Sequence, residues 1–246
     1  MKVQVFDNFE ALSKQAAILV ERQVQAKNDS VLGLATGSTP VGLYRKMAEG
    51  VKSRGMSYKH VQTINLDEYL GLDPEHPRSY HAFMAEHLFN HIDLPDANQH
   101  LPNGKPDSVE EECRRYEGLI DSIGPMDLQI LGLGTNGHIG FNEPGTKAGT
   151  VTHCVELADS TRQDNARFFG NVEDVPTHAI TMGIRSILKS RQILLLASGK
   201  NKADAVKRLL DKSVSEDFPA SFLWNHPNVL LMVDQEAYSL AKTEGQ

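Results

Sequence analysis

The sequence predicts a doubly wound α/β fold: a largely parallel sheet with helices on both faces, in a single domain spanning 1–246. Three observations carry this. Short apolar runs alternate with longer amphipathic stretches along the chain, and such alternation builds βαβ units on a parallel sheet. Most of the apolar runs are continuous in Leu, Ile or Val, without period-2 alternation, as strands covered on both faces require. A chain of 246 residues, 40% hydrophobic and 23% charged, has the length and composition for one sizeable core.

The first strand is expected over Lys2–Phe6, followed by a helix from Asn8 to about 27 with Leu12, Ala16, Leu19, Val20 and Val24 at helical spacing. A strand over 31–35 then runs through a turn of small residues into a helix over about 41–54, and a further strand covers 61–66. Ser108-Val109-Glu110-Glu111 has the form of a capping box. In that motif the Ser hydroxyl and the Glu carboxylate each satisfy an exposed N–H, here opening a helix to about 123. Strands over 127–132, 178–182 and Ile193–Ala197 follow, then a helix over 200–211 with Ala203, Val206 and Leu210 on one side, and a last strand over 229–233.

The bulk properties exclude several classes. The net charge of −7 argues against a nucleic-acid partner held by positive potential. A small anion needs only a local cluster of donors. Cys113 and Cys154 have neither metal-ligand spacing nor the look of a disulfide framework, which fits a reducing, cytoplasmic setting. The N-terminal MKVQVFDNFEALSKQ becomes charged before an apolar run can form, so no signal peptide or membrane partner is expected.

In a doubly wound sheet, ligands sit beyond the carboxyl ends of the strands. After the strand at 31–35 come Thr36, Gly37, Ser38, Thr39 and Pro40. A small-residue turn feeding a helix presents free N–H groups and the positive end of the helix dipole, which suits a monophosphate; a plain strand–helix turn is the equal alternative. After 61–66 come Asp67, Glu68 and Tyr69. A carboxylate there could be a general base tuned by burial, although an isolated Asp-Glu is more often a surface turn or cap.

The segment 132–144, Gly-Leu-Gly-Thr-Asn-Gly-His-Ile-Gly-Phe-Asn-Glu-Pro, brings Asn136, His138 and Glu143 together in a glycine loop. An imidazole with a carboxylate that selects its tautomer is an acid/base pair. Gly132, Gly134 and Gly137 also match the dinucleotide fingerprint. That fingerprint should open a helix, whereas Pro144 biases Glu143 toward extended backbone. Arg167 and Lys202 are candidate cations for a phosphate; as isolated residues each is more often a solvated surface group.

The segments LGLATGSTP (32–40), NLDEY (65–69), GLGTNGHIGFNEP (132–144), DSTRQDNARFF (159–169) and SGKNKA (198–203) together resemble the glucosamine-6-phosphate deaminase family in order and spacing. The resemblance implies a Rossmann-like fold and a soluble enzyme that isomerises and deaminates glucosamine 6-phosphate to fructose 6-phosphate and ammonia without metal or other cofactor. It implies Asp67 as the base moving a proton between C2 and C1, and His138 as the ring-opening acid/base oriented by Glu143 and Asn136. Thr36, Gly37, Ser38, Thr39, Arg167 and Lys202 would bind the phosphate. Asn136 stands where some members carry Asp; an amide orients by hydrogen bonding and does not relay a proton.

Some members are hexamers activated by N-acetylglucosamine 6-phosphate through an Arg and a Lys two residues apart and through a C-terminal extension bearing a Tyr. Here the corresponding positions are His153 and Val155, and a short polar tail ends at Gln246. The expectation is that no hexamer is required, that a monomer suffices and that this effector does not act, unless Lys147 and Arg162 supply a substitute site. The competing readings are a 6-phosphogluconolactonase-like hydrolase, a sugar-phosphate sensor module of a transcription regulator, and a dinucleotide-dependent oxidoreductase.

Overall fold

The computed structural model of the chain describes residues 1–241. The chain runs β1 (Lys2–Phe6), α1 (Phe9–Ala26), β2 (Val31–Leu34), α2 (Ser38–Arg54), β3 (Gln62–Asn65), β4 (Asp67–Tyr69), α3 (Tyr80–His87), β5 (Gln99–His100), α4 (Val109–Ile123) and β6 (Leu128–Gly132). It continues with β7 (His153–Glu156), α5 (Asp159–Phe169), β8 (His178–Thr181), α6 (Ile184–Leu188), β9 (Ile193–Ala197), α7 (Ala203–Leu210) and β10 (Val229–Asp234). The polar C-terminal tail read from the sequence lies beyond residue 241 and outside the described residues.

Seven strands form one sheet in the order β1-β10-β9-β6-β2-β3-β5, and every pair within it is parallel. In β6 and β9 the successive residues Ile130, Leu131, Leu194 and Leu195 are all 0% exposed. Neighbours on a strand point to opposite faces, so both faces are covered and the sequence shows no alternation. Leu12, Leu43, Met47 and Met84 from α1, α2 and α3 pack on one face. Tyr116, Ile187, Val206 and Leu209 from α4, α6 and α7 pack on the other. Each fully buried aliphatic side chain contributes roughly 1.5–3 kcal/mol of burial.

Local signals place the helix ends. The Asn8 side chain accepts from Ala11 N at 2.9 Å, capping α1. Ser108 Oγ likewise accepts from Glu111 N at 3.3 Å at the start of α4. The reciprocal half of the expected capping box, from Glu111 back to Ser108, is not among the hydrogen bonds of the described residues.

Three further expectations are corrected. The strand at 178–182 is not in the main sheet: as β8 it joins β4 and β7 in a separate three-stranded antiparallel sheet. The chain leaves β3 at Asn65 and enters that second sheet at Asp67. β1 is an edge strand, with Val3 and Val5 more than a third exposed, because only β10 covers it. The helix expected from 200 is a 3-10 turn over Lys200–Lys202 before α7 begins.

Candidate active site

β2 has β3, the next main-sheet strand in the chain, on one side and β6, reached after β5, on the other. The winding order therefore reverses between β2 and β6, and a crevice opens at their carboxyl ends. One cleft lies there. It is lined after β2 by Thr36 and Gly37 and, at the start of α2, Ser38 and Thr39, after β3 by Leu66 and, at the start of β4, Asp67, from the loop after β6 by Gly134, His138 and Gly140, and from the turn after β9 by Lys202. Helix α5 adds Thr161, Asp164 and Arg167.

At one end stands the N-terminus of α2. Gly37 has φ 92° and no side chain caps the helix, so the first N–H groups of α2 are open to an anion. Arg167 donates to Ser38 Oγ at 3.1 Å. Among the described residues, neither Arg167 nor Lys202 has a salt-bridge partner. Burial lowers the Lys202 ammonium below the ordinary lysine pKa against the pull of Asp164. Lys202 is delivered by a loop that Asp234 holds from below: Ser198 Oγ and Gly199 N both donate to its carboxylate.

At the other end Asp67 is 5% exposed. Burial, reinforced by the neighbouring charge of Glu68, pushes its carboxyl up to about 8. Asp67 pairs with Thr181 across the antiparallel β4–β8 ladder, and a Cβ on Gly140 would lie 3.5 Å from its Oδ2. The 138–142 backbone therefore closes over the carboxylate.

His138 is reached through a relay. Asn136 Nδ2 donates to Glu143 Oε2 at 2.8 Å, which turns Asn136 Oδ1 toward His138. Oδ1 lies 2.7 Å from His138 Nδ1 and accepts from the His138 N–H at 3.1 Å. An amide oxygen only accepts, so Nδ1 carries the proton and Nε2 presents its lone pair. Glu143 Oε2 itself lies 3.6 Å from Nδ1, one step behind the amide. Burial opposes ionisation of Glu143, but its contacts with His138, Thr161 and Asn136 outweigh that and hold its carboxyl below the usual range. Gly134 is needed for this arrangement: a Cβ there would meet the imidazole at 2.4–2.5 Å.

Of the residues singled out from the sequence, Thr36, Gly37, Ser38, Thr39, Asp67, His138, Arg167 and Lys202 line the one cleft. Asn136 and Glu143 stand behind His138 and do not line it. Sequence reasoning missed Thr161, Asp164 and Tyr80 as lining residues. Thr161 Oγ1 lies 3.5 Å from His138 Nδ1, and Asp164 accepts from Thr135 Oγ1 at 2.8 Å. Their presence within the DSTRQDNARFF segment was the one available signal. Among the described residues, no cluster of His, Cys, Asp and Glu has the makings of a metal site.

Comparison with known proteins gives the same frame. Residues 7–232 match the family model for glucosamine-6-phosphate isomerases/6-phosphogluconolactonase. The chain is 56% identical over 244 residues to a glucosamine-6-phosphate deaminase of Geobacillus sp. (strain WCH70), covering 99% of this chain and 97% of that one. It is 50% identical to glucosamine-6-phosphate deaminase 1 of Bacillus subtilis (strain 168), covering 98% and 99%. A solved structure of a monomeric glucosamine-6-phosphate deaminase superposes with a TM-score of 0.97 at 50% identity, covering 98% of this chain and 100% of that one. A 6-phosphogluconolactonase from Thermotoga maritima, 22% identical, shares the fold at a TM-score of 0.75, covering 95% and 99%. Sequence, fold and the disposition of the cleft thus converge, and the chain belongs to the glucosamine-6-phosphate isomerase/6-phosphogluconolactonase family.

Proposed function

We propose that the chain converts glucosamine 6-phosphate and water into fructose 6-phosphate and ammonia, and so hydrolyses a carbon–nitrogen bond. The observation that carries this reading is the pairing, in one cleft, of an anion-binding end with an acid/base end built from Asp67 and His138. Relatives at 50–56% identity bear the name of this activity.

The phosphate binds at the α2 N-terminus, Ser38, Arg167 and Lys202, and so positions C1 and C2 beside the reacting groups. His138 Nε2 takes the proton from the anomeric hydroxyl and returns it to the ring oxygen, which opens the pyranose. Ionised Asp67 removes the proton from C2 while the substrate's own ammonium gives one to the aldehyde oxygen, leaving a neutral enolamine. The same carboxyl returns its proton to C1, and the electron pair of the double bond shifts to leave an iminium at C2. Water adds to C2, the carbon–nitrogen bond breaks, and ammonia leaves the ketone. Burial tunes Asp67 for this exchange, because an acid/base works best with a pKa near the operating pH. The two free thiols, Cys113 and Cys154, suit a reducing cytosol.

The test is to incubate the purified protein with glucosamine 6-phosphate and measure ammonia and fructose 6-phosphate. Equimolar release of both is expected. Lactone hydrolysis from 6-phosphogluconolactone without ammonia release would overturn the reading.

A further inference from the structure

The chemistry above uses Asp67 and leaves Glu68, the next residue, without a role. Glu68 is 1% exposed, and its carboxylate is fully engaged. Oε1 accepts from Tyr69 N at 2.8 Å and Tyr80 N at 2.9 Å. Oε2 accepts from His81 N at 3.1 Å and lies 2.9 Å from His81 Nδ1. Four N–H groups converge on two oxygens, which leaves neither oxygen free to carry a proton between C2 and C1. The bonds run to the first residues of α3, so Glu68 pins a helix start to the strand that carries Asp67. Tyr80, held by that bond, lines the cleft. Its ring stacks on Phe141 at 6.0 Å and 13°, and Phe141 belongs to the His138 loop.

We propose that Glu68 is a positioning residue: its buried carboxylate locks the β4 strand bearing Asp67 to the start of α3, and so fixes Asp67, Tyr80 and the His138 loop relative to one another. This rests on Asp67 being the proton carrier.

The lock has an electrostatic consequence. The ionisable groups that feel Asp67 are Glu68 beside it on β4, Tyr69 on β4, Tyr44 on α2, Tyr80 on α3 and Tyr116 on α4. Burial raises all four phenols, which stay neutral through the working range. His81, the titratable group facing Glu68 from α3, reaches it through Nδ1 at 2.9 Å. Glu68 is therefore the neighbouring charge that holds the Asp67 proton, and its removal lets Asp67 ionise at lower pH.

The experiment pairs pH–rate profiles with a 13C titration of the Asp67 carboxyl, assigned with Asp67→Asn, in the wild-type protein and Glu68→Gln. The Asp67 midpoint is expected to move down by about one pH unit in Glu68→Gln, with kcat reduced roughly 10- to 100-fold by the loosened geometry. An unmoved midpoint in Glu68→Gln would overturn the proposal, since that substitution removes the charge that Asp67 feels. The 13C midpoint reads Asp67 whether or not that residue carries the proton in turnover; if Asp67→Asn stays active, the assignment of the base fails and the positioning claim is judged separately. Should Glu68→Gln not fold, Glu68→Asp decides. It keeps the charge but is too short to reach α3, so kcat should fall at least 10-fold with the midpoint and KM nearly unchanged. Full activity in Glu68→Asp would equally sink the idea.

Discussion

Asp67 occupies a place where ionisation is costly, and two outcomes follow. Its carboxyl is raised from the ordinary 3.8 to about 8, first by burial and then by Glu68. Between those values the folded protein holds a proton that the unfolded chain has released. The stability contributed by this group is therefore complete below about 4 and is lost as pH rises through about 8. Asp67→Asn, isosteric and uncharged, should be the more thermostable protein, with an advantage that grows from pH 5 to about 5–10 °C in Tm at pH 9. Thermal melts across that range check it; an advantage that shrinks with rising pH would contradict the buried-acid account. The same variant should lose roughly 100- to 10,000-fold in turnover while still binding substrate, a gain in stability matched by a loss of function. Gly134 makes a second residue-scale case. Its missing side chain is the space that the His138 ring fills, since a Cβ would sit 2.4 Å from Nδ1. Gly134→Ala should displace the ring, break its 2.7 Å contact with Asn136 and lower kcat roughly 100-fold with little change in KM. Steady-state kinetics would show this, and a purely KM effect would argue against it.

At the scale of elements, the cleft is assembled from segments that differ greatly in how plainly the sequence announces them. β2, β3, β6 and β9 are short apolar runs, so the residues following them (the turn at 36–39, Asp67, the glycine loop, Lys202) were legible as one strand-end set. α5 was legible only as part of a family segment. Among its buried residues only Thr161 appears, so it has no apolar stripe for a period of 3.6 to reveal. α3 likewise buries only Met84. β8 resembles a main-sheet strand in composition, and nothing local distinguishes it; its antiparallel partners are set by tertiary packing and by a three-residue β4. The relay from Glu143 through Asn136 to His138 was out of reach for a related reason: residue types within one loop do not specify which side chain touches which. Lys202 is the element-scale test. It arrives on a loop whose Gly199 has φ 90° and which Asp234 anchors. Removing one charge-assisted phosphate contact costs about 1.5–3 kcal/mol. Lys202→Ala should thus raise KM for glucosamine 6-phosphate roughly 10- to 100-fold while leaving the poor binding of unphosphorylated glucosamine unchanged. Equal weakening of both sugars would make Lys202 a structural residue.

At the scale of the whole molecule, the cleft gathers the segments that follow β2, β3, β6 and β9 together with helix α5. A 50% identical relative is a monomeric glucosamine-6-phosphate deaminase, and turnover by a single chain is the prediction here. The places where an acetylated sugar phosphate would act lie on β7, on α5 and, for Lys147, on the loop before β7. His153 engages Val151 O at 2.9 Å through Nδ1, and burial lowers its imidazole below the ordinary range, so it offers no cation near neutral pH. Val155 packs against the small apolar cluster of Tyr69, Phe141 and Leu157 and offers no donor at all. Of the substitute pair, Arg162 already donates to Val172 O at 2.9 Å and Val175 O at 3.2 Å, which ties it to the segment after α5. A phosphate reaching it would have to break those bonds. An effector shifts a conformational equilibrium only by binding one state better than another, and His153, Val155 and the engaged Arg162 supply no differential contact for an anion. Substrate saturation should therefore be hyperbolic, with neither kcat nor KM altered by N-acetylglucosamine 6-phosphate, and the protein should sediment as a monomer at assay concentration. A sigmoidal curve that becomes hyperbolic on adding the acetylated sugar phosphate would refute this. Loss of that response in Arg162→Ala but not in Val155→Ala would then locate the effector on α5.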